Sequence, residues 1–155
     1  MPVFRIYQQH LTDDQIAELN GPNGGWSAKP EFTAYADVEM GSIGITFGES
    51  SHKTVDDMVH SAIGLNIYQK VCDITADSLD HAFAIGNNGL DPMDDRITTY
   101  NTMTSIYVGN IVVDVTSDTW KAYLCDIRGW SPLDQSTLHT LLMNTAKISN
   151  QLAEV

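Results

Sequence analysis

Basic residues, cysteines and long apolar runs are all scarce in this chain, and each scarcity removes a class of function. Eight lysines and arginines stand against twenty aspartates and glutamates, giving a net charge of −12 over 155 residues. A surface of that sign repels phosphate, so no direct contact with nucleic acid or with an anionic membrane is expected. The two cysteines, Cys72 and Cys125, have neither C-x-x-C nor metal-ligand spacing. Each sits in an apolar, strand-like run, which predicts buried, reduced thiols. No window approaches the roughly 18 consecutive apolar residues of a membrane-spanning helix. The start, Met-Pro-Val-Phe-Arg-Ile-Tyr, reads as a strand and not as a signal peptide. The chain is therefore expected in a cytoplasm.

Catalytic signatures are missing as well. There is no P-loop, no G-x-S-x-G, no H-E-x-x-H and no dinucleotide fingerprint. His60 and His81 with Asp73 could still converge from separate elements. That would give a small enzyme a site beside the 88–104 connection. No metal or other cofactor is expected.

A 43% hydrophobic content supports one ordinary core, and the length fits one domain, residues 1–155. Residues 3–8 suit a strand. Thr12-Asp13-Asp14-Gln15 has capping-box form and opens a short helix. Residues 31–39 and 43–47 read as strands, the second weakened by glycines. Val55, Met58, Val59 and Ala62 make one face of a helix. A strand over 65–75 and a helix capped by Asp77 or Ser78 follow. The polar connection 88–104 holds Asp91, Asp94 and Asp95. Residues 105–115 and 119–127 form a hairpin across Thr116-Ser117-Asp118, with Gly109 marking a bulge or turn. Gly129-Trp130-Ser131-Pro132 closes the unit. From Ser131 or Asp134 a final helix carries Leu138, Leu141, Leu142 and Leu152 at helical spacing. The mixture of hairpins and crossovers predicts an α+β domain, with a mostly antiparallel or mixed sheet and helices packed on it.

One stretch resembles a segment of small bacteriophage and plasmid proteins, including YodL-like proteins of mobile elements. It spans about residues 68–131. Thr-Ser-Ile-Tyr-Val-Gly-Asn-Ile-Val-Val-Asp over 104–114 is followed by Trp120, Tyr123-Leu124-Cys125 and Gly129-Trp130. Upstream, 71–83 matches the strand and helix that precede that run. Tyr107 stands where serine is usual and Asn110 where aspartate is usual. The resemblance carries no established reaction; it implies a gene of a phage or other mobile element. Ser105, Gly109 and Asn110 read as turn-builders, Gly109 by its access to positive φ and Asn110 by bonding nearby backbone.

With an acidic surface and no catalytic motif, the expected role is binding a host protein with a basic surface, as an inhibitor or a mimic of DNA charge. The candidate contact residues are the aromatics Trp26, Tyr107 and Trp130 and the acids Asp91, Asp94 and Asp95, because tryptophan and tyrosine anchor interfaces. A homodimer built through Trp130 and the last helix is the structural alternative.

Overall fold

A computed structural model describes residues 1–41, 55–65, 67–87, 94–126 and 129–153. The expected strand at 43–47 and Asp91 lie outside these residues. Among the described residues six strands form one sheet: β1 (Val3–Gln9), β2 (Tyr68–Thr75), β3 (Ile97–Thr99), β4 (Ile111–Asp114), β5 (Lys121–Asp126) and β6 (Gly129–Leu133). Their order is β3-β2-β1-β4-β5-β6, and every neighbouring pair is antiparallel. Five helices in the described residues accompany them: α1 (Asp13–Leu19), α2 (Pro30–Gly41), α3 (Val55–Ile63), α4 (Leu79–Gly86) and α5 (Gln135–Ala153). This is the expected α+β class, with an antiparallel sheet. Among the described residues no helix is long and apolar enough to cross a membrane.

The N-terminal strand is central because it is apolar on both sides. Alternation sends Phe4 and Ile6 to one face and Arg5 and Tyr7 to the other. The Tyr7 face packs Ile111, Val113 and Leu124 against α2, α3 and α5 through Phe32, Val38, Val59 and Leu141. The Phe4 face packs Cys72, Ile74 and Val112 against α4 through Ala82 and Ile85. Each large side chain buried this way contributes about 1.5–3 kcal/mol. The sheet edges are blunted, β3 by its three-residue length and β6 by Pro132, which lacks a backbone donor. Cys72 and Cys125 are buried and free, in strands separated by β1 and β4.

Three sequence expectations need correction. Residues 31–39 are helix α2, not a strand. Phe32, Ala34 and Val38 are all buried, but the apolar residues run around the helix and leave no clean stripe. Pro30 at its first position is the helix-start signal that the aromatic and β-branched residues masked. The strand expected over 105–115 begins only at Ile111, because Gly109 adopts φ +98° and turns the chain. Gly129 to Leu133, expected to close the hairpin as a turn, is strand β6. The capping box is present: Gln15 N donates to Thr12 Oγ1 at 3.2 Å and Thr12 N donates to Gln15 Oε1 at 2.8 Å. Ser78 caps α4, and Asp134 accepts from Thr137 N at 2.8 Å to start α5.

Across β1 and β2, Arg5 grips Asp73 with two bonds of 2.9 and 3.1 Å, and Tyr100 donates to the same carboxylate at 2.7 Å. Burial pushes the Asp73 carboxyl up, but the bonds from Arg5 and Tyr100 outweigh it and hold the group below its ordinary value. A carboxylate depressed by folding adds stability above its unfolded pKa, and that stability is lost as pH falls through the lower folded value. Asp73→Asn should therefore cost about 1–2 kcal/mol at neutral pH. The gap from the parent should close below about pH 4. Urea midpoints measured down the acid range will check this; a gap that stays constant contradicts it.

Candidate functional site

The cleft that matters runs between α4 and the β5–β6 side of the Phe4 face and reaches, past the 106–108 loop, the end of α2. Its volume is about 790 Å³. The Ser78 cap sets the start of α4, and Asp80 and Phe83, three residues apart, then share one side of the helix. Both reach Trp130 on the edge strand. Trp130 Nε1 donates to Asp80 Oδ1 at 3.0 Å, and its ring meets Phe83 edge-on at 6.2 Å and 82°. Phe83 is 37% exposed, so the aromatic pair opens to solvent. Ile106, Val108 and Met40 continue the apolar wall.

Carboxylates rim this wall. Asp80 lies beside Trp130, Asp126 accepts from Ser131 Oγ at 3.1 Å, and Glu39 accepts from Tyr107 O–H at 2.6 Å. Burial lifts the Glu39 carboxyl above its ordinary value despite the tyrosine bond. Burial and then the Glu39 bond lift Tyr107, so its ring is the neutral phenol at physiological pH. Among the described residues no lysine, arginine or histidine lines the cleft. Cys125 also lines it, but burial pushes its thiol up to about 11. A thiol with that value is protonated at neutral pH and is a poor nucleophile.

A buried amide network holds Tyr107 in place. Asn110, fully buried, accepts from Tyr107 N at 2.9 Å and Gln8 Nε2 at 3.1 Å, and donates to Gln9 Oε1 at 2.7 Å. Gln8 in turn clamps Thr104 and Ser105 through their backbone. Asn110 thus bonds three residues back and across to β1. Its turn-building is wider than the local bond expected from sequence.

Of the sequence candidates, Tyr107 and Trp130 come together in this cleft, and Trp26 does not join them. Trp26 stacks on Tyr35 with centroids 5.9 Å apart and rings 6° from parallel. Asp94 turns back on Arg96, at 2.7–2.9 Å, and Asp95 is exposed; neither lines the cleft. His60 and His81, on helices that pack against opposite faces of the sheet, do not converge on Asp73 either. His60 bonds the Asp56 carbonyl of its own helix at 2.8 Å, and His81 accepts from Asp77 N at 3.0 Å. Among the described residues no group of three or more histidines, cysteines and acids could hold a metal.

Sequence reasoning missed Glu39, Asp80, Phe83 and Asp126. The Asp-x-x-Phe spacing after a serine cap was the available signal for two of them. Glu39 was hidden by the strand reading of α2. No protein-family model matches the chain, and neither a curated protein nor a solved structure is significantly similar to it.

Proposed function

We propose that the chain is a binding protein of the phage or mobile-element type, and that it takes a basic, apolar segment of a host protein into the Trp130 cleft. The supporting observation is the pairing of an open Trp130–Phe83 surface with Asp80, Asp126 and Glu39 at its rim. Apolar side chains of a partner gain from leaving water on that wall, and lysine or arginine beside them meets carboxylates. The acids elsewhere need no such role. Asp13, Asp14, Glu31, Asp56 and Asp57 occupy first turns of helices, where the helix dipole favours negative charge. The reading therefore rests on the cleft and not on imitation of DNA.

A synthetic peptide alternating lysine and leucine tests it by calorimetry, alongside capture from a bacterial lysate. Trp130→Ala should weaken peptide binding by about 2 kcal/mol or more, roughly 30-fold. The neutral changes Asp80→Asn and Asp126→Asn, which keep the side-chain shapes, should weaken it less and flatten its salt dependence. Binding that ignores both salt and Trp130 sinks the proposal.

A further inference from the structure

Strand β6 is the last in the sheet, and its register shows which of its backbone groups face outward. On the neighbouring strand, the Cys125 N–H donates to the Asn110 carbonyl at 2.9 Å, and the Cys125 carbonyl accepts from Gly109 N–H at 2.8 Å. Both Cys125 groups are thus turned toward the β4 side. Cys125 stands opposite Trp130, and the β5–β6 register is regular from Asp126 and Gly129 to Ala122 and Leu133. Antiparallel pairs alternate between bonded and unbonded, so Gly129, Ser131 and Leu133 bond to β5, while Trp130 and Pro132 turn their backbone groups to the open edge. The missing N–H of Pro132 therefore removes no bond to β5. What the edge offers is the Trp130 N–H, the Trp130 carbonyl and the Pro132 carbonyl. Among the described residues none of the three has a partner.

The same residue carries the cleft. Trp130 sends its ring to the Phe4 face and meets Phe83 there. A strand laid on β6 would put every second side chain on that face, beside the ring. We infer that the segment bound in the Trp130 cleft is extended and pairs antiparallel with β6, exchanging hydrogen bonds with the Trp130 backbone and donating to the Pro132 carbonyl. The inference rests on the cleft reading and adds the partner's conformation and pattern: apolar residues alternate on the Trp130 side, with basic residues between them. Antiparallel addition continues a sheet in which every pair is already antiparallel. A helix in the same cleft would satisfy its own backbone and leave the Trp130 N–H and carbonyl unmatched. A second copy of the chain is the poorer occupant, because two surfaces of net charge −12 repel.

The lysine–leucine peptide tests this in two N-methylated forms. In the paired arrangement the leucine opposite Trp130 lies on the ring's side and points its N–H and carbonyl at β6, whereas the lysine amides face away. Methylating the leucine nitrogens should weaken binding by about 10-fold or more, and methylating the lysine nitrogens by less than about 3-fold. In amide hydrogen exchange, the Trp130 N–H should slow about 10-fold or more on saturation with the parent peptide, while the Ser131 N–H, already bonded to β5, changes little. Equal losses from the two methylated peptides, the reverse order, or an unchanged Trp130 amide overturns the added strand. The cleft reading survives those outcomes where Trp130→Ala still weakens the parent peptide. Failure of the parent peptide to bind at all removes both. A Trp130 amide protected in the free chain, with light scattering showing a dimer, would give the edge to a second copy and overturn the inference as well.

Discussion

Gly109→Ala is expected to cost the protein about 2–5 kcal/mol, a large part of the roughly 5–15 kcal/mol that holds a domain together. Gly109 has φ +98°, and a Cβ there would stand 2.7 Å from Gln9 Nε2 and 2.8 Å from Val38 Cγ1. The backbone strain accounts for about 1–2 kcal/mol. Forcing Val38 and Gln9 aside accounts for about 1–3 kcal/mol more, because both belong to the buried interior. Thermal unfolding should fall by roughly 5–15 °C. Gly25→Ala is the matched control: its φ is +125°, but nothing lies within 4 Å of the added Cβ. It should show the strain alone. Equal losses at the two positions would deny the close approach of the 101–110 loop to β1 and α2.

Asn110→Ala should be about as severe, at roughly 3–5 kcal/mol. The change strands the buried Gln9 Oε1 and takes the acceptor from the half-buried Tyr107 N, while Gln8 Nε2 keeps only the Thr104 and Ser105 carbonyls. Asn110→Asp should be milder. An aspartate keeps the two bonds that Asn110 accepts and loses only the donor facing Gln9. Gln9 Nε2 has no partner in the parent structure, so turning the Gln9 amide over lets it donate to the new carboxylate. The remaining cost is that of burying a charge held by three donors. Chemical denaturation should rank the parent above Asn110→Asp and that variant above Asn110→Ala. The opposite order for the two variants would contradict the amide reversal.

These two neighbours also show where the sequence was readable. Gly109 and Asn110 marked a turn because their backbone and side-chain chemistry is local. The caps at Thr12, Ser78 and Asp134 were legible for the same reason. Helix α2 was not, since Phe32, Tyr35 and Val38 have strand-like preferences and only burial on several sides makes them helical. The site followed the same division. Tyr107 and Trp130 stood out as aromatics beside glycine-bearing turns. Their partners Glu39, Asp80 and Phe83 become partners only when α2 and α4 dock on the sheet; the Asp-x-x-Phe spacing puts two of them on one side of a helix but does not say what that side meets.

The position of β1 in the sheet has a consequence during synthesis. Its one flank pairs with β2, but the other waits for β4, so that Phe4 meets Asp114. A ribosome needs on the order of 5–20 s to travel between those residues. Through that interval the nascent chain carries an apolar ribbon with one side unsatisfied, a ready template for the wrong neighbour. Yield in the cell should then depend on whatever shelters emerging polypeptide until the second half arrives.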